Sequence, residues 1–334
     1  MLKLNRDQCI DWGPDCSGDD RGSPSAVIMI RPENFRTNPE TLSDNAFQAE
    51  MIPLSQKDLA EKVFSEVTRA AKTLANEGIS VHLFDDLGLD HPHDSVFPNN
   101  WFSTSRDGKI ALFPMFSKNR RAERRDEIVT FLKEYYHVSE IVDYSPLEVD
   151  GVFLEGTGAV VIDHNESVAY TGLSNRADVG AMKVFCADFG YLPVWFDTAD
   201  AKGNPIYHTN VMLCVAEFFA IVCLALVVDE KKRKLLNALL SAPGRTVINI
   251  SVEQVRLFAG NAIELFGKKG RVLALSTTAA NSLSADQRAV IERTNKIVAV
   301  ELVHVELSGG SMRCMLADYT YRGSYLYRKV HGEA

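Results

Sequence analysis

The feature that most constrains the fold of this 334-residue chain is an order of elements that repeats roughly every fifty to sixty residues. In each unit a strand or hairpin is followed by a helix and then by another strand. The clearest unit has the strands "GAVVID" and "SVAYTGL", a helix over 177–189 and the strand "LPVWFD". Because one unit cannot cover its own apolar face, the pattern predicts units that pack side by side and close into a ring. An ordinary α+β domain with a coincidental rhythm is the alternative.

The other units follow the same order with different clarity. The first unit has the strand "PSAVIMIRP", a helix over 55–78 and the strand "ISVHLF", and the second has the strands "NWFST" and "KIALFPMF", a helix over 121–136 and the strand "SEIVDY". The fourth has a double strand over 211–228, a helix over 230–241 and the strand "TVINI". The last has helices over 252–266 and 285–296 and the strands "RVLALS", "VAVELVHVEL" and "MRCMLADY". Capping-box patterns at Ser251/Gln254 and Ser284/Gln287 predict where the two late helices begin.

Composition predicts how the chain divides into segments. Residues 1–22 are polar and predict a loose N-terminal arm, and residues 23–334 predict a single catalytic domain. The apolar fraction of 46% suffices for a large core. The apolar segment 211–228 has the length of a membrane span, but its β-branched residues and Glu217 favour two buried strands.

Charge and cysteine usage restrict the partners and the compartment. A net charge of −8 argues against nucleic acid or an anionic membrane as partner, and "RRAERRDE" (120–127) reads as the solvated start of a helix. The six cysteines form no C-x-x-C pair, which favours free thiols and a cytoplasmic location. The stretch "HPHD" (91–94) lacks a matching ligand cluster, so we expect a loop and no metal.

Polar residues mark the point where each predicted hairpin begins. They are Asn99 and Asn100 in "FPNNWFS", Glu155 in "LEGTG", His208 and Asn210 in "YHTNV", and Cys314 in "GGSMRCM". In a ring of repeats, equivalent positions converge on the axis. The repeat therefore predicts one pocket that holds a thiol, a histidine, an acid and several amides.

This set of groups suits nucleophilic catalysis. A thiolate is the strongest common side-chain nucleophile near neutral pH, and a nearby cation favours it. Arg313, next to the cysteine, or a protonated His208 could supply that charge. His208 also suits proton transfer to a leaving amine. The glycines at 156, 158, 309 and 310 allow close backbone approach.

Several of these motifs, taken in order, resemble those of the guanidino-group-modifying enzymes, the pentein superfamily. The stretches "FPNNWFS", "LEGTG", "YTGLSNR", "IYHTNV" and "GGSMRCM" are most similar to the amidinotransferase-like branch described as citrulline hydrolases. The resemblance runs from about Pro24 to Tyr319. It implies an α/β fold of five ββαβ modules about a pseudo-fivefold axis, known as an α/β propeller, and no cofactor.

The resemblance also implies roles for single residues. Cys314 would be the nucleophile, His208 the general acid and base, and Glu155 a partner of His208 and of the substrate nitrogens. Arg176 matches an arginine that binds the substrate α-carboxylate. From the positions of the residues themselves, we expect Asn99, Asn100, Asn210 and Arg313 to contact substrate and Asp94 to orient the loop before "FPNNW".

One departure from the superfamily concerns the substrate. Asn100 and Asn210 stand where its deiminases typically carry aspartates. Carboxylates hold a cationic guanidinium best, whereas amides match a neutral ureido group. This favours citrulline, hydrolysed to ornithine, CO2 and ammonia. An arginine deiminase or dihydrolase, an amidinotransferase, and an inactive small-molecule sensor on the same fold are the alternatives, and a homo-oligomer is left open.

Overall fold

The computed structural model describes residues 9–12, 23–42, 44–49, 51–86, 94–136 and 138–319. The strands are β1 (Cys9–Trp12), β2 (Ala26–Pro32), β3 (Ser80–Asp86), β4 (Phe102–Thr104), β5 (Lys109–Leu112), β6 (Glu140–Asp143), β7 (Val160–Asp163), β8 (Val168–Leu173), β9 (Leu192–Asp197), β10 (Leu213–Val215), β11 (Phe219–Val222), β12 (Thr246–Asn249), β13 (Ile263–Gly267), β14 (Gly270–Ser276), β15 (Lys296–Val300) and β16 (Ala317–Tyr319). The helices are α1 (Gln56–Asn76), α2 (Asp126–Tyr135), α3 (Gly156–Ala159), α4 (Val179–Phe189), α5 (Glu230–Ser241), α6 (Val252–Arg256), α7 (Thr277–Ser282) and α8 (Ala285–Glu292).

The strands form five small sheets with one pairing pattern. In four three-stranded sheets the first two strands are antiparallel and the third is parallel to the second, namely β4-β5-β6, β7-β8-β9, β10-β11-β12 and β13-β14-β15. The fifth sheet repeats the pattern with β16, β2 and β3, and β1 adds an outer strand beside β3. The mixed α/β class is confirmed, and closure of the units into a propeller stays a prediction.

The last described strand completes the first sheet of the chain. Ala317 pairs with Ile28 and Tyr319 pairs with Ala26, so the sequence around residue 317 is joined to the start of the described domain. This pairing brings the turn that holds Cys314 beside the N-terminal unit. In the predicted arm 1–22, the structure describes only Cys9–Trp12, and the domain boundary at residue 23 stays a prediction.

Local sequence signals account for most of the helices. The hydroxyl of Ser55 caps α1 by accepting the Asp58 amide, and α1 buries Val63, Val67 and Leu74 against β2, β3 and β15. Gly78, at φ +85°, then turns the chain into β3. Both predicted capping boxes are present, at Ser251 and at Ser284.

Three predicted elements of the last unit differ from the structure. The strand expected over "VAVELVHVEL" ends at Val300, and a 3-10 helix over Glu306–Ser308 begins within the same stretch. The helix expected over 252–266 ends at Arg256, and 263–267 forms β13 instead, because this segment pairs with β14 across a short turn. The strand expected over "MRCMLADY" begins only at Ala317. Residues 311–316 form consecutive turns, in which the Cys314 amide donates to Ser311 O over 3.1 Å.

The apolar segment 211–228 contains two buried strands, β10 and β11, as its composition predicts. None of the helices that the structure describes has the length and apolar character needed to cross a membrane. The described cysteines, Cys186, Cys214, Cys223 and Cys314, are all buried and free.

Candidate active site

The residues predicted to converge lie in short turns just before the first strand of a sheet. Asn100 ends a 3-10 turn before β4, Glu155 precedes α3 and β7, and His208 precedes a 3-10 turn that leads into β10. Cys314 lies before β16, and Asn210 lies within the turn after His208. All five side chains are at most 2% exposed. Backbone N–H groups at such turns are satisfied locally, which leaves the side chains free to point inward.

His208 and Glu155 form a hydrogen-bonded pair at the centre of this group. His208 Nε2 lies 2.8 Å from Glu155 Oε2, and the other carboxylate oxygen accepts the Phe116 amide over 3.0 Å. Arg176 Nη1 and Arg120 Nη1 lie 3.4 and 3.6 Å from the same Oε2 atom. The carboxylate thus orients the imidazole ring and is itself held by two cations.

Burial and charge act in opposite directions on this pair. Burial by itself raises the pKa of Glu155, but Arg176, the hydrogen bond with His208 and Arg120 together hold that pKa well below its usual range. Burial lowers the pKa of His208 to about 4, although Glu155 acts against this shift. The resting site therefore contains an ionised carboxylate and a neutral imidazole that can accept a proton.

Two amides contact the thiol of Cys314. Asn261 Nδ2 lies 3.2 Å from Sγ, and Asn210 Nδ2 lies 3.6 Å from it. Asn261 also donates to the Asn210 carbonyl and accepts the Arg313 amide, so it connects two hairpin starts. Asn261 is absent from the predicted set because a helix was expected over 252–266. Its position just before β13 matches that of Asn100 before β4 and would have revealed it.

A small cavity joins these groups. It is lined by Asn45, Asp94, Phe97, Asn100, Arg120, Arg176, Tyr207, His208, Ser308, Gly310 and Cys314. The thiol, the imidazole and one asparagine of the predicted set thus border the same space. We call it the catalytic cavity.

A family comparison decides what kind of protein this is. The model of the family described as eukaryotic N,N dimethylarginine dimethylhydrolase matches residues 31–321. The chain belongs to the N,N dimethylarginine dimethylhydrolase family. Membership confirms the resemblance to the guanidino-group-modifying pentein superfamily and the expectation of a C–N hydrolase. No curated protein matches the sequence significantly.

Solved structures share the fold of this dimethylhydrolase-family chain. The N-terminal domain of ArgZ, a cyanobacterial arginine dihydrolase, bound to substrate, aligns with a TM-score of 0.68 at 16% identity over 89% of this chain and 99% of that chain. The match to the apo ArgZ structure, whose chain is longer, covers 40% of that ArgZ chain. A dimethylarginine dimethylaminohydrolase adduct with S-methyl-L-thiocitrulline aligns with a TM-score of 0.61 at 12% identity, over 89% and 100% of the two chains.

The side chain of Asp94 lines the catalytic cavity, whereas the role predicted for it was to orient the loop before "FPNNW". Its Oδ2 atom accepts a hydrogen bond from Asn38 Nδ2 over 2.9 Å and lies 3.7 Å from Arg120 Nε. Its Oδ1 atom is buried and has no hydrogen-bond partner among the described residues. A buried carboxylate oxygen without a partner is costly, so its position in the cavity wall marks a place for a donor from a ligand. His91 and His93 of "HPHD" lie outside the described residues.

Arg120 corrects the interpretation of "RRAERRDE" as solvated. Its side chain is 2% exposed and lies in a 3-10 helix over Lys118–Glu123 that precedes α2. The guanidinium donates to both Glu123 oxygens over 2.8 Å and to Asn100 Oδ1 over 3.0 Å. It is therefore part of the cavity wall and fixes the orientation of Asn100.

Arg313 does not reach the catalytic cavity, contrary to the prediction. Its guanidinium donates to Leu316 O over 2.7 Å and to Asp318 over 2.9 Å, and it borders a different cavity, together with Asp163 and Glu264. The turn around Cys314 sends these neighbouring side chains in different directions. The guanidinium of Arg313 therefore lies outside the lining of the catalytic cavity.

Asn99 and Arg176 also differ from their predicted roles. Asn99 Oδ1 accepts from Asn100 Nδ2 over 3.1 Å and does not line the catalytic cavity, so Asn99 supports Asn100. Arg176 does line the cavity, but its Nε and Nη2 atoms donate to Asp44, a residue the sequence analysis did not consider.

Gly158 permits the approach of two site residues. A Cβ atom at this position would lie 2.3 Å from Asn100 Nδ2 and 2.8 Å from His208 Nδ1. Any side chain would therefore displace the Asn100 amide and the His208 imidazole. The close backbone approach predicted for this glycine thus depends on the absence of a side chain.

The neutral imidazole of His208 makes stability depend on pH. Because burial lowers the pKa of His208 from its ordinary value of 6.5 to about 4 in the fold, the unfolded chain takes up a proton first as pH falls. This residue should therefore remove about 2 kcal/mol of unfolding free energy between about pH 7 and pH 5. His208→Gln keeps a donor toward Glu155 and should flatten the pH dependence by that amount, measured by urea unfolding. Parallel curves for wild type and variant would show that His208 ionises normally.

Proposed function

We propose that this protein hydrolyses a C–N bond of a guanidino group through a covalent intermediate on Cys314. The observation that carries the proposal is the catalytic cavity itself. There the Cys314 thiol and His208, which is paired with Glu155, border the same buried space as Asp94, whose Oδ1 atom has no partner among the described residues. Donor-rich groups such as guanidinium fit that oxygen, and the thiol supplies the nucleophile.

In the first step the Cys314 sulfur attacks the central guanidino carbon. His208 takes the thiol proton and passes it to the departing nitrogen, which leaves as ammonia or an amine while a C–S bond replaces the C–N bond. Asn261 and Asn210 donate toward the sulfur and limit its movement. Glu155 stabilises the imidazolium that forms in between.

In the second step a water molecule attacks the sulfur-bound carbon. His208 accepts a proton from that water, and the C–S bond breaks to return the thiol and release a ureido product. Hydrolysis of the ureido group by the same two steps would give a carbamate, which breaks down to an amine and CO2. Arginine dihydrolase activity of this kind is named for the ArgZ structure and is a candidate here.

Charge favours a cationic substrate group. Around the cavity and its ion pairs, the described carboxylates of Asp44, Asp94 and Glu155 outnumber the guanidinium groups of Arg120 and Arg176 three to two. Burial raises the pKa of Glu123 to about 7, so this carboxyl adds only a partial charge near neutral pH. A guanidinium group entering this cavity reduces the imbalance, whereas a neutral ureido group leaves it unchanged.

Citrulline is the second candidate substrate. The amides of Asn100, Asn210 and Asn261 in or beside the cavity favour it, because an amide can donate to the ureido oxygen and a carboxylate cannot. Its hydrolysis would give ornithine, CO2 and ammonia.

The five-module ring is part of the same proposal. Two observations support it. The five sheets share one pairing pattern, hydrogen bonds join the residues just before β7 and β10, β10 and β13, and β13 and β16, and Asn100 before β4 lines the same cavity as His208 and Cys314. A ring would place these five starts about a common axis and would explain why the site residues are far apart in sequence. A cytoplasmic location stays a prediction that rests on the free thiols.

The substrate class is tested by a panel of compounds. Arginine, N,N-dimethylarginine, citrulline and agmatine are incubated with the protein, and ammonia, amines and ureido products are measured. We expect guanidino compounds to be hydrolysed faster than citrulline. A faster rate with citrulline would favour the amide argument over the charge argument, and no turnover with any compound would contradict the proposed function.

The asparagines give a second test within the same assay. Asn100→Asp with Asn210→Asp should abolish citrulline hydrolysis and tighten the binding of a guanidinium inhibitor by about tenfold, because two charge-assisted bonds become available. Asn237→Asp is the control for added negative charge, because Asn237 is exposed on α5 and does not line the cavity. Weaker guanidinium binding in the double variant would show that these amides do not face the substrate.

A further inference from the structure

The guanidinium of Arg176 is saturated by carboxylates of the protein. Asp44 binds it through two parallel hydrogen bonds, from Nε over 2.9 Å and from Nη2 over 2.5 Å. The third nitrogen, Nη1, lies 3.4 Å from Glu155 Oε2. A bidentate carboxylate is the strongest partner a guanidinium can have. A ligand carboxylate would therefore meet an arginine whose binding face is already occupied.

The segment that carries Asp44 is docked firmly beside the catalytic cysteine. Asn45 Nδ2 donates to Ser308 O over 3.2 Å, and the Ala49 amide donates to Leu307 O over 2.9 Å. A Cβ atom at Gly309 would lie 2.4 Å from Asn45 Nδ2, so the two segments are in close contact. The Asp44–Arg176 pair thus belongs to a built contact between residues 44–49 and the glycine turn before Cys314.

Asp44 also faces a second cavity, which we call the outer cavity. Tyr207 borders both cavities, and Asp44 and Arg176 join them as an ion pair. The outer cavity has an apolar floor and charged residues at its edge, and its lining includes Phe47, Ile206, Leu226, Val255, Asp44, Asp200, Lys202 and Arg256. An apolar floor that leads to acidic groups suits an alkyl chain with a polar end.

No described cation near the catalytic cavity is free for a ligand carboxylate. Arg120 is held by Glu123, and Arg176 is held by Asp44 and Glu155. In the outer cavity Arg256 and Lys202 are both exposed to water, where an ion pair with a ligand carboxylate contributes little. The carboxylate of Asp44, by contrast, keeps 13% of its side-chain surface accessible and can accept a further donor.

We propose that Asp44 determines specificity by occupying Arg176, so that the preferred substrate is a guanidino compound whose remote end carries an amine and no carboxylate. A substrate carboxylate would have to displace Asp44 and leave that acid without its cation. A remote ammonium group would instead meet Asp44 on its accessible side. The inference rests on the proposed function, because it concerns the substrate of the same site.

The test compares ligands that differ only in the carboxylate. Agmatine is arginine without its carboxylate, and both are titrated into the Cys314→Ser variant by calorimetry so that neither is consumed. We expect agmatine to bind at least about tenfold more tightly than arginine. Equal binding, or tighter binding of arginine, would overturn the proposal while leaving the proposed guanidino chemistry in place.

Removing the charge of Asp44 should reverse the preference. In Asp44→Asn the guanidinium of Arg176 lacks its carboxylate, so arginine should gain about tenfold in affinity and agmatine should lose affinity. Asp85→Asn is the matched control, because Asp85 also binds a guanidinium through two hydrogen bonds, that of Arg31, and lines neither cavity. It should change the agmatine-to-arginine ratio by less than about threefold.

Each outcome has one interpretation. An unchanged ratio in Asp44→Asn would show that Asp44 leaves Arg176 when arginine binds, which contradicts the proposal. If Asp44→Asn does not fold, the comparison of the two ligands with Asp44 intact still decides. Absence of binding by both ligands, together with no turnover of the compound panel, would overturn the proposed function and this inference with it.

Discussion

Replacing Cys314→Ser is expected to abolish turnover, by at least about a thousandfold, while the fold is retained. A serine hydroxyl at neutral pH is far less ionised than a thiol, and the site offers a neutral imidazole as the base. The replacement is small and keeps contact with Asn261 and Asn210, so the free energy of unfolding should change by only about 1 kcal/mol. Steady-state rates and thermal unfolding measure the two effects separately.

Cys186→Ser is the matched control for this prediction. Cys186 is equally buried, and burial raises the pKa of its thiol to about 12, so it has no thiolate at neutral pH. Its replacement should affect packing and leave the catalytic rate within about twofold. If Cys186→Ser removed activity and Cys314→Ser did not, the nucleophile would be assigned to the wrong cysteine.

Replacing His208→Ala is expected to slow the chemical step by at least about a hundredfold. The variant loses the group that accepts the thiol proton, protonates the leaving nitrogen and later activates water. It also leaves Glu155 with Arg176 and Arg120 alone, so the carboxylate stays ionised and the cluster remains paired. Single-turnover rates report the loss without interference from product release.

Intact mass of His208→Ala adds a qualitative result. If attack by Cys314 continues while hydrolysis stops, a substrate adduct should accumulate on the protein. A double variant with Cys314→Ser should show no adduct, which identifies the modified residue. Wild-type rates in His208→Ala would remove this residue from the mechanism and leave the neutral imidazole without a function.

The catalytic set follows from one structural repetition. Asn100, Glu155, His208, Asn261 and Cys314 each precede the first strand of a different sheet or the short helix that leads into it. Residues at equivalent points of similar units come together, even though 214 positions separate Asn100 from Cys314 in the sequence. Variation at such turns can change the substrate while the sheets and their cores stay the same.

The sequence alone indicated the units, most of their helices and the candidate residues at the centre of the site. These features depend on local physics, namely apolar periodicity, capping side chains and glycine turns, which are visible within about twenty residues. Because the units repeat, the hairpin starts could be compared with one another, and Glu155, His208 and Cys314 were found in this way. The contact between His208 and Glu155 confirms that two of these starts converge.

Only the tertiary structure decided which charged groups surround that centre. Arg120 is in a charged stretch typical of a surface, yet it is buried because Glu123, Asn100 and Asp94 surround it. Arg313 is next to the thiol in sequence, yet the turn directs it to Asp318. Asp44 reaches Arg176 across 132 positions. The energy of a buried ion pair depends on distance and on the exclusion of water, and neither quantity is encoded in the local sequence pattern.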